Sequence, residues 1–126
     1  MSFFYISDEA GDGVQRSDDM VILLAGGELD YAASPQLRER LADHVAAGKK
    51  HLVLDFSNVT FIDSTAIGVL VGAVMRLHEL GGGSMAVVCP EENRRVLRIF
   101  EIAGLESLIA LHDSCEQALA ELAAAD

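Results

Sequence analysis

The residues best placed to do chemistry are three consecutive polar ones, Asp63, Ser64 and Thr65, which separate an apolar strand-like run from an apolar helix-like run. A carboxylate or hydroxyl at a helix start accepts hydrogen bonds from backbone N–H groups that have no partner within the helix. Taken by itself, the triplet is therefore interpreted as a helix cap, supplied by Asp63 or Ser64.

Catalytic interpretations of this region fail on spacing. A serine hydrolase of the nucleophile-elbow type needs glycine two residues before and two residues after its serine, and Ile62 and Ala66 occupy those positions. A phosphoacceptor receiver domain needs an acidic pair after its first strand and an aspartate at the end of its third. Here Asp18 and Asp19 precede a strand, and Asp55 falls inside one. Since no nucleophile can be paired with an acid–base partner, we predict that the protein is not an enzyme.

The histidines and cysteines give no metal or disulfide signal. The four histidines share no spacing typical of metal ligands, and they are His44, His51, His78 and His112. Cys89 and Cys115 are far apart in the chain and form no Cys-x-x-Cys motif, so two reduced thiols are expected. The sequence predicts neither a bound metal ion nor a cofactor.

Length and composition predict a single acidic domain spanning residues 1–126. Hydrophobic residues make up 51% of the chain and charged ones 23%, which is enough to build a core. Nine basic and twenty acidic residues give a net charge of −11, which argues against direct binding of nucleic acid. No apolar run reaches the ~20 residues of a spanning helix, and residues 1–6 lack the basic region of a signal peptide. We expect no membrane insertion and a cytoplasmic location.

The elements that must position the triplet alternate along the chain. The expected strands lie at 3–6, 20–25, 51–56, 85–88 and 108–111, and the expected helices begin near residues 34, 63, 90 and 114. Strands alternating with helices imply crossover connections and parallel pairing. We therefore predict an α/β fold with a mixed, mostly parallel sheet of four to five strands and about four helices.

Capping signals mark the predicted helix starts. Ser34 is expected at the N-cap of the first helix, with Pro35 following it. The helix opening at Pro90 would place its acids first and the arginines at 94–98 later, as the helix dipole prefers. The last helix can form a capping box with either of two pairs, Ser114 with Gln117 or Asp113 with Glu116.

The helix after Ser64 lacks a polar face in its first two turns. Its inward stripe follows helical spacing and consists of Ile67, Leu70, Val71, Val74 and Leu77. The opposite side carries Ala66, Gly68, Val69, Gly72 and Ala73, with no charge before Arg76. Because a contiguous exposed apolar strip usually marks an interface, we predict that a partner binds there, on Ala66, Val69, Gly72 and Ala73. The alternative is that another element, such as the final helix, covers them.

Residues 20–120 resemble the STAS domain and, within it, the bacterial anti-sigma factor antagonists. The matching segments are Gly27-Glu28-Leu29-Asp30, 52–59, 61–70 and 96–105. The third segment matches the family's pattern Asp-Ser-[Ser/Thr]-Gly-[Leu/Ile]-Gly, beginning at Asp63, at every position except one. Ala66 stands where the family usually has its first glycine. Alanine is the better helix former, so the helix start is expected to survive, and the sequence leaves open whether the added methyl obstructs a kinase.

The resemblance implies a phosphorylation switch at Ser64. In this family the serine is phosphorylated by a GHKL-type kinase that is also the anti-sigma factor, and a PP2C-type phosphatase removes the phosphate. The unphosphorylated antagonist binds the kinase and frees the sigma factor. Asp30 and Asp63 are expected beside Ser64 at one edge of the sheet, where they contact the partner together with Thr65. The alternative is a STAS scaffold, or a transporter-associated subunit, in which Ser64 is never modified.

Overall fold

A five-stranded sheet with four α-helices makes up the fold in the computed structural model, which describes residues 3–8 and 19–125. The strands are β1 (Phe4–Asp8), β2 (Met20–Leu29), β3 (His51–Ile62), β4 (Ser84–Val88) and β5 (Ala110–His112). The helices are α1 (Ser34–Ala46), α2 (Ser64–Glu79), α3 (Arg94–Ala103) and α4 (Cys115–Ala125), with a short 3₁₀ turn at Leu105–Ser107. Most of the acidic loop expected before the second strand lies outside the described residues.

The strands stand in the sheet in the same order as in the chain. β1 is antiparallel to β2, and the pairs β2–β3, β3–β4 and β4–β5 are all parallel. The predicted α/β class with a mixed, mostly parallel sheet is therefore confirmed. Among the described residues, no helix is long and apolar enough to cross a lipid bilayer.

Successive residues of β3 contribute to two separate hydrophobic cores. Leu52, Leu54 and Phe56 pack in the larger core with residues of α1, α2 and α3. Val53 belongs to a smaller core with Ala118 of α4. Because neighbouring side chains of a strand point to opposite faces, three helices cover one face of the sheet and α4 covers the other.

β3 extends six residues beyond its predicted end. The sequence predicted a strand to residue 56 followed by a loop, but the strand runs on to Ile62. β4 pairs with β3 only as far as Asp55 of β3. In contrast, β2 pairs with β3 to the end of both strands, where Leu29 lies opposite Ile62. Pairing with β2 therefore keeps the chain extended through its polar residues at 57–58. The paired ends of β2 and β3 extend past β4 and carry the residues of the predicted site.

One predicted N-cap is shifted by one residue, and one predicted helix start is shifted by four. α1 begins at Ser34 itself with Ala33 at the N-cap, and the buried Ser34 hydroxyl donates to the carbonyl oxygen of Asp30 at 2.9 Å. α3 begins at Arg94 instead of Pro90. The side-chain amide of Asn93 donates to the carbonyl oxygen of Val59 at 2.7 Å, which fixes this residue against β3 before the helix starts. As a result, Glu91 and Glu92 lie before the helix, and α3 begins with the arginines at 94–98. The prediction that acidic residues open this helix is therefore wrong.

The start of α4 follows the first of its two predicted capping patterns. The Ser114 hydroxyl oxygen accepts from the backbone N–H of Gln117 at 3.1 Å. The side-chain oxygen of Gln117 accepts from the backbone N–H of Asp113 at 2.9 Å. Reciprocal bonds of this kind satisfy N–H groups that the helix itself leaves unpaired.

Candidate functional site

Ser64 is the first residue of α2, and its side chain is exposed. Asp63 occupies the N-cap with an extended backbone, and its Oδ1 accepts a hydrogen bond from the N–H of Ala66 at 3.0 Å. The capping role therefore belongs to Asp63, and the Ser64 hydroxyl is not needed for it. Thr65 is also exposed, so the two hydroxyl groups of the triplet face solvent at a helix N-terminus.

Asp30 lies at the end of β2 and organises the turn into α1. Its Oδ1 accepts from the N–H groups of Ala32 at 3.0 Å and Ala33 at 3.1 Å. Because Leu29 is the register partner of Ile62, Asp30 and Asp63 each follow one of two neighbouring strands at the same sheet edge. Asp30 also has a structural role that the sequence did not reveal, and its contact with a partner stays a prediction.

Part of the apolar strip predicted on α2 is buried. Ala66 is 0% exposed and Val69 is 6% exposed, so the prediction that they face solvent is wrong. α1 packs alongside α2 on this side, whereas α4 lies on the opposite face of the sheet. α2 is therefore buried from two directions, by the sheet and by α1. Gly72 is exposed and Ala73 is half-buried, so these two residues remain available to a partner.

A groove of about 720 Å³ runs between α1 and α2. Small residues one helical turn apart line both sides, namely Ala42 and Ala46 on α1 and Gly68 and Gly72 on α2. Gly68 and Gly72 follow Ser64 at intervals of four residues, so they lie on the same helix face as the serine. The groove therefore begins about one helical turn beyond Ser64, on the same face of α2. The four-residue spacing of Ala42 and Ala46 in the sequence was the signal that could have identified the α1 side of the groove.

Packing among the described residues does not require glycine at positions 68 and 72. Apart from the neighbouring residues and backbone of α2 itself, no described atom lies within 4 Å of the position that a Cβ on Gly68 or Gly72 would occupy. A glycine in a helix interior costs roughly 0.5–1 kcal/mol relative to alanine. The open space above these two residues allows another chain to approach the α2 backbone closely.

The thiols and acids of the described residues form no second reactive centre. Cys89 and Cys115 are not joined by a disulfide bond. Burial, with a smaller contribution from the Asp113 carboxylate, raises the pKa of Cys89 to about 11. Such a thiol is protonated and unreactive near neutral pH. Within the described ranges, no group of three or more metal-ligating side chains converges.

The sequence profile of the STAS domain matches residues 13–118. The chain belongs to the STAS domain family. This STAS protein is 31% identical over 104 residues to an anti-sigma F factor antagonist of Paenibacillus polymyxa, covering 82% of this chain and 86% of the relative. It is 30% identical over 99 residues to an anti-sigma-B factor antagonist of Staphylococcus epidermidis, covering 79% and 89% of the two chains.

The fold of this STAS protein is also that of a solved anti-sigma factor antagonist. The structure of the anti-sigma factor antagonist SpoIIAA in its unphosphorylated form superposes with a TM-score of 0.76 at 21% identity, covering 95% of this chain and 97% of that one. The family resemblance based on the motif at Asp63 is thus confirmed.

Proposed function

We propose that this STAS protein is an anti-sigma factor antagonist, which binds an anti-sigma factor in the cytoplasm and so frees a sigma factor. The observation that carries the proposal is the exposed Ser64 hydroxyl at the start of α2, held within the family's motif while Asp63 caps the helix. Relatives about 30% identical that bear this name support it. The protein itself performs no catalysis.

The switch in this proposal is phosphorylation of Ser64 by the anti-sigma factor, acting as a GHKL-type kinase. A phosphate adds about −1.5 to −2 charges, and the first N–H groups of α2 and the helix dipole accommodate it without a change of fold. Asp30 and Asp63 lie at the same sheet edge, so an interface formed there would have to desolvate a dianion. A loss of ~3 kcal/mol weakens binding more than a hundredfold. A PP2C-type phosphatase reverses the switch.

The groove beside Ser64 is the docking surface in this proposal. Gly72 and Ala73 line it, together with Gly68, whose missing side chain leaves the helix backbone open. Val69 lines the floor of the groove from its buried position, and the exposed Thr65 borders Ser64. Ala66, which departs from the family motif, is fully buried, so its methyl group faces the core and does not obstruct a partner.

Mapping phosphate after incubation with ATP tests the proposal. The purified protein is incubated with ATP and an extract of its host, and phosphorylated peptides are located by mass spectrometry. Phosphate is expected on Ser64 and absent from the Ser64→Ala variant, and Thr65→Ala serves as the matched control that keeps wild-type phosphorylation. The contrary result is that immobilised protein captures transporter or sensory-complex subunits while Ser64 stays unmodified. That result would support the scaffold alternative instead of the proposal.

A further inference from the structure

The first turn and a half of α3 carries three arginines that oppose the helix dipole. Arg94, Arg95 and Arg98 are all exposed, and the first turn of α3 contains no acidic residue. The N-cap residue Asn93 makes no side-chain capping bond, because its amide is bound to β3. Cations at the positive end of a helix are unfavourable. This arrangement lowers the stability of α3, and a local rule broken in this way points to function.

Within the described part of the chain, no ion pair involves this arginine cluster. The ion pairs found there join Arg40 and His44 to Asp8, and Arg76 to Glu79. The exposed residues Glu91, Glu92 and Glu101 flank the cluster in the chain, but none of them is paired with it. The cluster therefore presents three exposed guanidinium groups that form no ion pair among the described residues.

The arginine cluster lies near the sheet edge that carries Ser64. Asn93, directly before Arg94, is bound to the backbone of Val59 in β3, and Ser64 follows Val59 by five residues. At about 3.3 Å per extended residue, Val59 and Ser64 are at most ~17 Å apart, and Arg94 follows the residue that is bound to Val59. A protein interface of standard size buries about 800 Å² on each partner, which is enough to include both the start of α3 and Ser64. Ile102, one helical turn beyond Arg98, is 75% exposed and adds an apolar contact.

We propose that Arg94, Arg95 and Arg98 form a second contact surface for the anti-sigma factor and that they recognise an acidic patch on it. The inference rests on the proposed function and adds a second point of contact beside Ser64. Charges further apart than about 8 Å are largely screened at physiological ionic strength, so the cluster acts on what lies directly against it. A nucleic acid would extend past the cluster onto acidic surface, whereas a short acidic patch on a folded partner does not.

Charge reversal tests the arginine cluster. The triple variant R94E/R95E/R98E is titrated with the purified anti-sigma factor, identified as the kinase that phosphorylates Ser64, in 150 mM salt. We expect the dissociation constant to rise by about tenfold or more, because three exposed attractive pairs become repulsive. The single variant Arg95→Glu is compared with Lys50→Glu, which changes an exposed cation at the opposite edge of the sheet and leaves binding unchanged.

Thermal melting separates lost contact from lost structure. Acidic residues near a helix N-terminus are favourable, so the triple variant is expected to melt above the wild type while it binds more weakly. The variant R94Q/R95Q/R98Q, which only removes charge, is expected to weaken binding in the same direction. Wild-type or tighter binding by the reversed variant would overturn the inference and leave the proposed function intact. If the wild type neither binds the kinase nor is phosphorylated by it, both fail.

Discussion

The backbone N–H of Asp63 donates a hydrogen bond of 3.2 Å to the carbonyl oxygen of Leu29. This bond joins the residue that caps α2 to the last residue of β2, directly before Asp30. This backbone bond therefore links the ends of β2 and β3 and keeps the two acidic residues of the site at the same sheet edge. The position of the helix start that carries Ser64 is thus set by the pairing of these two strands.

Replacing Ser64 is expected to affect phosphorylation without affecting stability. Because Asp63 supplies the cap, Ser64→Ala should change the free energy of unfolding by less than ~0.5 kcal/mol. Ser64→Asp should reproduce the off state only in part, since one carboxylate carries less charge than a phosphate. Chemical denaturation and binding to the anti-sigma factor measure the two effects. Phosphate at wild-type stoichiometry on Ser64→Ala would contradict the assignment.

Asp30 offers a way to separate its structural role from its charge. Asp30→Ala removes the acceptor of two backbone hydrogen bonds and should lower the free energy of unfolding by about 1 kcal/mol. Asp30→Asn keeps a side-chain oxygen in place and should fold with nearly wild-type stability. We expect Asp30→Asn to reduce partner binding or phosphorylation. If it behaves as the wild type in both assays, Asp30 acts only in the turn.

Gly72→Ala should stabilise the protein and weaken its binding. A methyl group at this position meets open space, so the gain in helix propensity is expected to be roughly 0.5–1 kcal/mol. The same methyl narrows the groove, and Gly72→Leu should weaken binding further. Met75→Ala, on an exposed part of α2 outside the groove, is the control. An unchanged affinity for Gly72→Leu would exclude this surface from the interface.

Val69→Lys, the substitution that the sequence alone would suggest for this surface, is expected to destabilise the fold. Val69 is buried between α2 and α1, and burying an unpaired ammonium group is costly. Its melting temperature should fall clearly below that of the wild type. A stable Val69→Lys variant would show that α1 moves away from α2 easily.

Cys89 makes stability depend on pH in the alkaline range. Burial raises the pKa of its thiol from about 9 to about 11, so the unfolded chain loses this proton first. The contribution of the thiol is therefore complete below pH 9 and is lost between pH 9 and 11, by on the order of 2 kcal/mol. Comparing the wild type with Cys89→Ala across this range isolates the effect. If the free energy of unfolding changes with pH in the same way for both proteins, Cys89 is not the cause of the pH dependence.

Features that depend on the local sequence pattern were predicted correctly. Features that depend on contacts between distant parts of the chain were not. The strand and helix order and the juxtaposition of Asp30 and Asp63 follow from apolar periodicity and parallel pairing. The late start of α3 depends on the bond between Asn93 and Val59, which are 34 residues apart in the chain. The burial of Val69 depends on α1, a second packing partner that the pattern of α2 alone does not reveal.

The agreement between strand order and chain order has a consequence for how the protein is made. From β2 onward, each strand pairs with the strand synthesised just before it, so no pairing waits for a distant segment of chain. Folding rates rise when contacts are close in sequence, and domains emerge from the ribosome amino-terminal end first. Each strand and its helix can therefore add to a growing sheet edge during translation, with β5 and α4 completing it last.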